Sequence, residues 1–583
     1  MAKKPDPITQ EILRSSLNAA AEEMKLNLIR TSHSTLIYEV LDFAVGLFDA
    51  EGRTLAQASG LPIFLGNLGA SITDGIKTYG LDGIEPGDLL ITNDPYTTGT
   101  HLGDMSVCSP IFFEGKLVAF AAGRGHLIDL GGKAPGGGWF FDTTDVHQEG
   151  IRFKSLKLFK AGEVNQDIIS FFRTNTRFTD IVLGDLFALV AACRTGEKRF
   201  SEILSKLGVE ETFAYVERLM DHNERIARAA IEKIPDGEYE ASAFLDNDGI
   251  EMDKNVPIKL KILVSGDEMT FDFSEMPPMV KGPINCGAPC AVSVARVASV
   301  SLTTPFLLVN EGNFRPIKTI IPPGTIVSAI EPAPVAAYAM PLVVLVDLAY
   351  KALSEAIPDR VPAGHYGAVS SIIAYGEDER TGKKFIHIEG IQGGWGGRSF
   401  EDGESVVTSL MNGDTRNVPV EVLEAKSPLV MESFGLRQDS GGPGKYRGGL
   451  GYERVHRVLD QEAQVNIFFE RNQCPPWGLF GGKPGKTNSC TVSTEEGVPE
   501  DVLLKTVGLK LKPGARIRMM TGGGGGHGDP LERDPVLVEQ DVARGYVSAE
   551  AALRDYGAVF DATTGSLDAK RTEEERKRRR PTP

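Results

Sequence analysis

Asn93-Asp94-Pro95-Tyr96-Thr97-Thr98-Gly99-Thr100-His101-Leu102-Gly103-Asp104, followed by Gly123-Arg124-Gly125-His126, sets two histidines and a carboxylate where one β-hairpin can bring them together. Residues 87–93 read as a strand that ends in turn residues. Residues 104–112 and 116–126 read as two more strands around a tip at Phe113-Glu114-Gly115. A three-residue tip with Gly115 left-handed sets Phe112 opposite Lys116 and Leu102 opposite His126. Asp104 and His126 are then diagonal neighbours on one face, with His101 in the loop just beyond. A strict two-residue tip sends them to opposite faces. Two neutral imidazoles with carboxylate oxygens suit Zn, Mn or Fe(II). His-x-x-Asp is a common spacing, so a chance match with His126 as a hydrogen-bonded strand histidine stays open on spacing alone.

On the N-terminal side, Asp6 and Pro7 read as the cap and first position of a helix. Ile8, Ile12, Leu13, Leu17, Ala20, Met24 and Leu28 recur at helical spacing up to about Arg30. Residues 40–126 are hairpin-rich, and 165–233 are mostly helical with Val182, Leu186, Leu189 and Val190 on one face. Strands resume at 237–273 with the alternating Ile258-Lys259-Leu260-Lys261-Ile262, and helices at 290–303 and 342–356. Short strands and glycine clusters fill 393–528, a polar helical stretch covers 532–557, and Lys570 to Arg580 reads as a frayed charged tail. The fold class is therefore α+β or mixed α/β, in several domains. The divisions are an α+β region over 1–235, a β-meander plus helix over 236–330, a glycine-rich mixed α/β region over 331–530, and a helical end with a charged tail over 531–583.

Composition narrows the partners. With 62 basic and 79 acidic residues the net charge is −17, which argues against nucleic acid or an anionic membrane as the main partner. The apolar runs, such as Met340 to Val346, are too short to span a bilayer. The start Met-Ala-Lys-Lys-Pro-Asp-Pro has no apolar run after its lysines and does not read as a secretory signal. Six cysteines in 583 residues are no disulfide framework, and Cys286 and Cys290 have no second pair for a zinc knuckle. A cytoplasmic location is expected.

Other motifs compete for attention. Gly485-Lys486-Thr487 imitates the end of a P-loop, but the first glycine it requires is Phe480, so no ATP site is expected in this chain. Thr521 to Gly528 reads as a tight structural crossing rather than a phosphate cradle. Arg447, among glycines, reads as part of a turn. His147 and Glu149 are the candidate acid or base of a metal-dependent reaction, with a plain polar loop as the competing reading.

Longer words give a resemblance. Asp42-Phe43-Ala44-Val45-Gly46-Leu47-Phe48-Asp49, the two stretches quoted first, Glu149-Gly150-Ile151-Arg152, Asp439 to Gly449, Pro475 to Gly482, and Gly522 to Gly526 with Gly528-Asp529-Pro530 occur in one order. The chain resembles the hydantoinase B family from about residue 5 to residue 560. That family covers B subunits of ATP-dependent hydantoinases, 5-oxoprolinases and caprolactamase and, more distantly, subunits of acetone and acetophenone carboxylases. The resemblance implies a metal site at Asp42, His101, Asp104 and His126, with Zn favoured over Mn or Fe. It also implies a hydantoinase A-like subunit that holds ATP and Mg, an (αβ)2 hetero-tetramer, and ATP-dependent hydrolysis of a lactam, hydantoin or 5-oxoproline, bicarbonate being a further candidate reactant. A ketone carboxylase subunit and a non-catalytic scaffold are the alternatives.

Overall fold

The first helix begins where its cap predicts: in this computed structural model Asp6 accepts from the Ile8 and Thr9 amides and the helix runs Pro7–Thr31. The structure describes residues 6–493, 501–561 and 564–580. The apolar stripe Leu13, Leu17, Ala20, Met24 and Leu28 is buried, packed on the Thr179–Leu207 helix.

Both helices lie against a seven-stranded sheet of β1 (Phe43–Asp49), β2 (Thr54–Gln57), β3 (Leu89–Thr92), β4 (Asp104–Phe113), β5 (Lys116–His126), β6 (Leu156–Lys160) and β7 (Glu163–Val164). Its order is β2-β1-β5-β4-β3-β6-β7 and every pairing is antiparallel. Val45, Leu47, Met105 and Val107 face the core under the helices. Phe48, Cys108, Phe120 and Ala122 face a second layer built on Leu68 and Ile72. With both faces covered, β1 reads as a continuous apolar run instead of an alternating one.

The hairpin tip differs from the expected three-residue loop. Glu114 (φ +49°) and Gly115 (φ +78°) form a two-residue turn with Phe113 opposite Lys116, the left-handed pair that suits the twist of the flanking strands. A bulge between Ile111 and Phe112 then adds one residue on β5, so that Asp104 pairs directly with His126 rather than diagonally. The bulge cancels the one-residue slip that a two-residue turn alone would cause, and both side chains stay on one face.

A four-stranded sheet follows (Gly237–Leu245, Val256–Ser265, Glu268–Asp272, Ile317–Ile320), packed on the Pro289–Thr303 and Ala339–Leu353 helices. Two more sheets, of four and five strands, are built from residues 371–520. Four sheets with helices in separate layers make this a mixed α+β fold.

The glycine clusters pack on one another. Gly523 and Gly526 donate to Lys486 and Lys483, while the Gly522 and Gly525 carbonyls accept from Gly394 and Gly397. Partners that repeat every third residue mark polyproline-II-type geometry, which has no internal hydrogen bonds, so that once buried it must pair its backbone groups with neighbours. Gly524 donates to Gly449 and accepts from Gly442. A Cβ on Gly524 would stand 1.8 Å from the Trp395 carbonyl oxygen, so glycine here serves close approach of backbones. Thr521 to Gly528 is thus the structural crossing expected. Gly485-Lys486-Thr487 sits in the same bundle and runs into the Ser489–Ser493 strand.

The charged tail is not frayed. Asp568 caps a helix over Ala569–Arg579, Glu575 pairs with Arg578 and Arg579, and Arg576 donates to the Tyr556 and Arg533 carbonyls. The i,i+3 and i,i+4 pairs and this docking supply what the sequence there lacks in apolar periodicity. All six cysteines are buried. No described helix is long and apolar enough to cross a bilayer.

Candidate metal centre

Three adjacent strands place three of the four expected ligands in a row. Phe43 pairs with Gly125, so Asp42 stands beside His126, whose amide donates to the Asp42 carbonyl at 3.2 Å. His126 in turn pairs with Asp104. Residues 42, 126 and 104 therefore share one face. Asp42 is delivered by a sharp turn in which Leu41 takes φ +64°, a strained value for a leucine. His101 reaches the row from the loop before β4. Asp94 caps the Pro95–Thr98 turn that leads into it, and Asn93 donates to the Leu102 and Ile151 carbonyls while accepting from the Phe153 amide.

The side chains converge. His126 Nδ1 lies 3.3 Å from Asp104 Oδ1 and 3.8 Å from Asp42 Oδ2, and His101 Nε2 lies 3.5 Å from Asp104 Oδ1. His101, Asp104 and His126 each offer a ligand atom within 4.8 Å of the others. Gly137 (φ +63°) allows the approach of the loop above: a Cβ there would stand 2.3 Å from His126 Nε2. His101 Nδ1 faces the Gly103 amide at 2.9 Å.

Electrostatics decide what this cluster can hold. Burial pushes His101 down to about 3, leaving a neutral imidazole. Burial, opposed by His126 and reinforced by Asp104, pushes the Asp42 carboxyl up to about 7. Burial works against the Asp104 carboxylate, but His101 and His126 outweigh it and hold Asp104 below its usual range. Burial also works against charge on His126, and Asp104 and Asp42 outweigh it, raising that ring above its ordinary value. Two carboxylates in a desolvated pocket thus call for positive charge. Both Asp104 oxygens and His126 Nε2 are buried without a hydrogen-bond partner, which is the state of ligands made for an ion rather than for one another. The donor set fits a divalent metal of the Zn, Mn or Fe type.

The cluster opens on a cavity lined among others by Phe64, Trp139, Tyr338, Asn412 and Arg416. The Trp139 indole N–H donates to His126 Nδ1 at 3.4 Å, and the Tyr338 ring lies 5.2 Å from that of His101. On the same face of the sheet, fully buried Arg124 donates to Asn67, Ser71, Ser106 and the Thr98 carbonyl, tying the histidine loop to β4 and β5. Tyr338, Trp139 and Arg124 were not among the residues singled out by sequence. Tyr338 is distant in the chain, and Trp139, which follows Gly136-Gly137-Gly138, had only that setting as a signal.

The two acid–base candidates lie elsewhere. His147 is exposed and its Nδ1 pairs with Asp145 at 2.6 Å. Glu149 is buried, and it accepts from Thr143 Oγ1 and from the Val335 and Ala336 amides. Neither lines the cavity.

Comparison with known proteins agrees with this architecture. The chain is 32% identical to the caprolactamase subunit beta of Pseudomonas jessenii, covering 97% of each. It superposes on the crystal structure of the ATP-dependent caprolactamase from that organism with a TM-score of 0.92 at 31% identity, over 99% of this chain and 100% of that one. An acetone carboxylase structure shares the fold with a TM-score of 0.90 at 20% identity, over 99% of this chain and 83% of that one. A 5-oxoprolinase of Dictyostelium discoideum is 28% identical over 92% of this chain, the match filling 41% of that longer protein. Residues 6–530 match the Hydantoinase B/oxoprolinase family model, and the chain belongs to that family.

Proposed function

We propose that this chain is the metal-holding subunit of an ATP-dependent hydrolase of cyclic amides, working with a separate ATP-binding subunit of the hydantoinase A type in an (αβ)2 assembly. One observation carries the reading: a buried His101–Asp104–His126 cluster, with Asp42 beside it, faces a cavity while both Asp104 oxygens lack a partner. The reaction opens the ring by breaking the amide C–N bond, one water supplying the hydroxyl at the carbonyl carbon and the hydrogen at nitrogen, while a second water is consumed as ATP goes to ADP and phosphate. An unstrained lactam is resonance-stabilised, so coupling to ATP is chemically reasonable. A divalent ion at Asp42, His101, Asp104 and His126, zinc in our reading, supplies Lewis acidity that polarises a carbonyl and acidifies water. Neutral His101 and the two carboxylates hold the charge, Trp139 and Tyr338 shield it from solvent, and Arg124 keeps the histidine loop on the sheet.

Full-length similarity to a caprolactamase subunit favours hydrolysis over carboxylation, because the likeness to acetone carboxylase extends to the fold alone. The test is to purify the chain with its partner subunit, measure bound metal, and assay lactams, hydantoins, 5-oxoproline and ketones with ATP, with and without bicarbonate. Ring-opened product with ADP release supports the reading. Carboxylated ketone as the sole product, or no first-row metal in the active complex, overturns it.

A further inference from the structure

The loop of residues 333–338 is held from several sides, and it ends on the cavity. Tyr96 donates its hydroxyl to the Ala333 carbonyl at 2.7 Å, and Asn285 donates to the Pro334 carbonyl at 3.1 Å. Glu149 Oε1 accepts from the Val335 amide at 3.0 Å, the Ala336 amide at 3.0 Å and Thr143 Oγ1 at 2.7 Å. The Tyr338 amide then closes the turn on the Val335 carbonyl at 3.0 Å. This delivers Tyr338, which is 3% exposed, to the wall of the cavity beside His101.

The Tyr338 hydroxyl makes no hydrogen bond among the described residues, whereas Tyr96, which braces the same loop from the Pro95–Thr98 turn, has its partner in the Ala333 carbonyl. A buried phenol left without an acceptor in a ligand cavity is a donor waiting for one.

We propose that Tyr338 is a catalytic residue that donates its hydroxyl hydrogen bond to the carbonyl oxygen of the cyclic amide, and that Glu149 is the positioning residue that sets it there through Val335 and Ala336. This rests on the cyclic-amide reading above. Negative charge grows on that oxygen as the carbonyl is attacked, so a pre-oriented donor gains strength in the transition state. The cavity, lined by both this hydroxyl donor and the ligand cluster, suits a neutral lactam ring whose amide carbonyl is its one strong acceptor.

The experiment uses the complete complex with its partner subunit. Tyr338→Phe should keep the wild-type metal content and lose about 100-fold in kcat, the usual cost of one such donor, with KM changed several-fold at most. Its affinity for a lactam without ATP, read by calorimetry, should fall several-fold. Glu149→Gln still offers one carbonyl oxygen to the amides and hydroxyl that meet at Oε1, and should keep metal and lose less than about 10-fold in kcat. Glu149→Ala should approach Tyr338→Phe in rate. If Glu149→Gln instead loses about 100-fold while Glu149→Ala is no worse, Glu149 is itself an acid or base and the positioning role falls. If Tyr338→Phe keeps wild-type kcat and lactam affinity, the role of Tyr338 falls while the functional reading stands. A wild-type complex that opens no cyclic amide overturns that reading, and this inference with it.

Discussion

Two regions of this protein reach close packing by opposite means. At the metal centre, the β1–β5–β4 register sets Asp42, His126 and Asp104 in a row, and the chemistry lies in what those side chains carry. In the glycine bundle, Gly522 to Gly526 are hemmed in by carbonyls on every side, and the structure depends on what the residues lack. The centre is therefore sensitive to charge and ligand identity, the bundle to volume. A polar change of equal size breaks function in the first, and one methyl group breaks folding in the second.

The largest effect should come from that methyl group. Gly524→Ala puts a Cβ against the Trp395 carbonyl, where backbone cannot yield as a side chain does, and should cost more than about 3 kcal/mol. Gly435→Ala is the control, since a Cβ there meets nothing within 4 Å; it should stay within about 0.5 kcal/mol. Denaturant melts of both variants measure the difference, and equal stabilities would remove the contrast between the regions.

Asp104→Asn keeps volume and removes a charge. We expect an intact circular-dichroism spectrum, metal affinity lowered at least 100-fold, a bound at the upper end of what outer-shell changes cost, and no turnover. Full metal occupancy in this variant would mean the ion is held elsewhere.

Arg124→Met probes the framework between the two kinds of behaviour. It leaves Asn67, Ser71 and Ser106 without their buried donor and should cost about 3 kcal/mol together with a 10- to 100-fold loss of metal affinity. A melt and a metal titration on the same sample separate the two effects. Loss of stability with unchanged metal affinity would make Arg124 purely a core residue.

The smallest effect concerns pH. Burial pushes Glu149 up to about 8, against the donors from Thr143, Val335 and Ala336 that pull it down. A carboxyl raised on folding contributes stability that is fully present below its unfolded value near 4.5 and lost as pH rises through about 8. Glu149→Gln has no such proton, so the wild type should lose stability relative to this variant between pH 5 and 8.5, by at most a few kcal/mol. Parallel melting curves across that range would show that Glu149 is ionised throughout.

Much of this was legible in the chain. The Asp6-Pro7 cap and the stripe from Leu13 to Leu28 specify the first helix by local hydrogen bonding and periodicity, and both features act within a few residues. His101, Asp104 and His126 stand out because one hairpin keeps them within 26 residues, and the glycine runs announce close backbone crossings because no other residue tolerates them. The tail near Lys570 misleads because its order comes from docking of Arg576 on Tyr556 and Arg533, which no local pattern encodes.

What the sequence by itself determined, then, is the inventory: helix caps, apolar periods, a His-x-x-Asp hairpin, and glycines where side chains cannot fit. What only the tertiary structure decided is the company each residue keeps. The bulge at Ile111 and Phe112 sets whether Asp104 meets His126, since one inserted residue reverses the face of every side chain beyond it. The turn pinned by Glu149 sets whether Tyr338 meets His101, across 237 residues from 101 to 338. Such contacts depend on register and on long-range loop closure, and neither is written in any short stretch of chain.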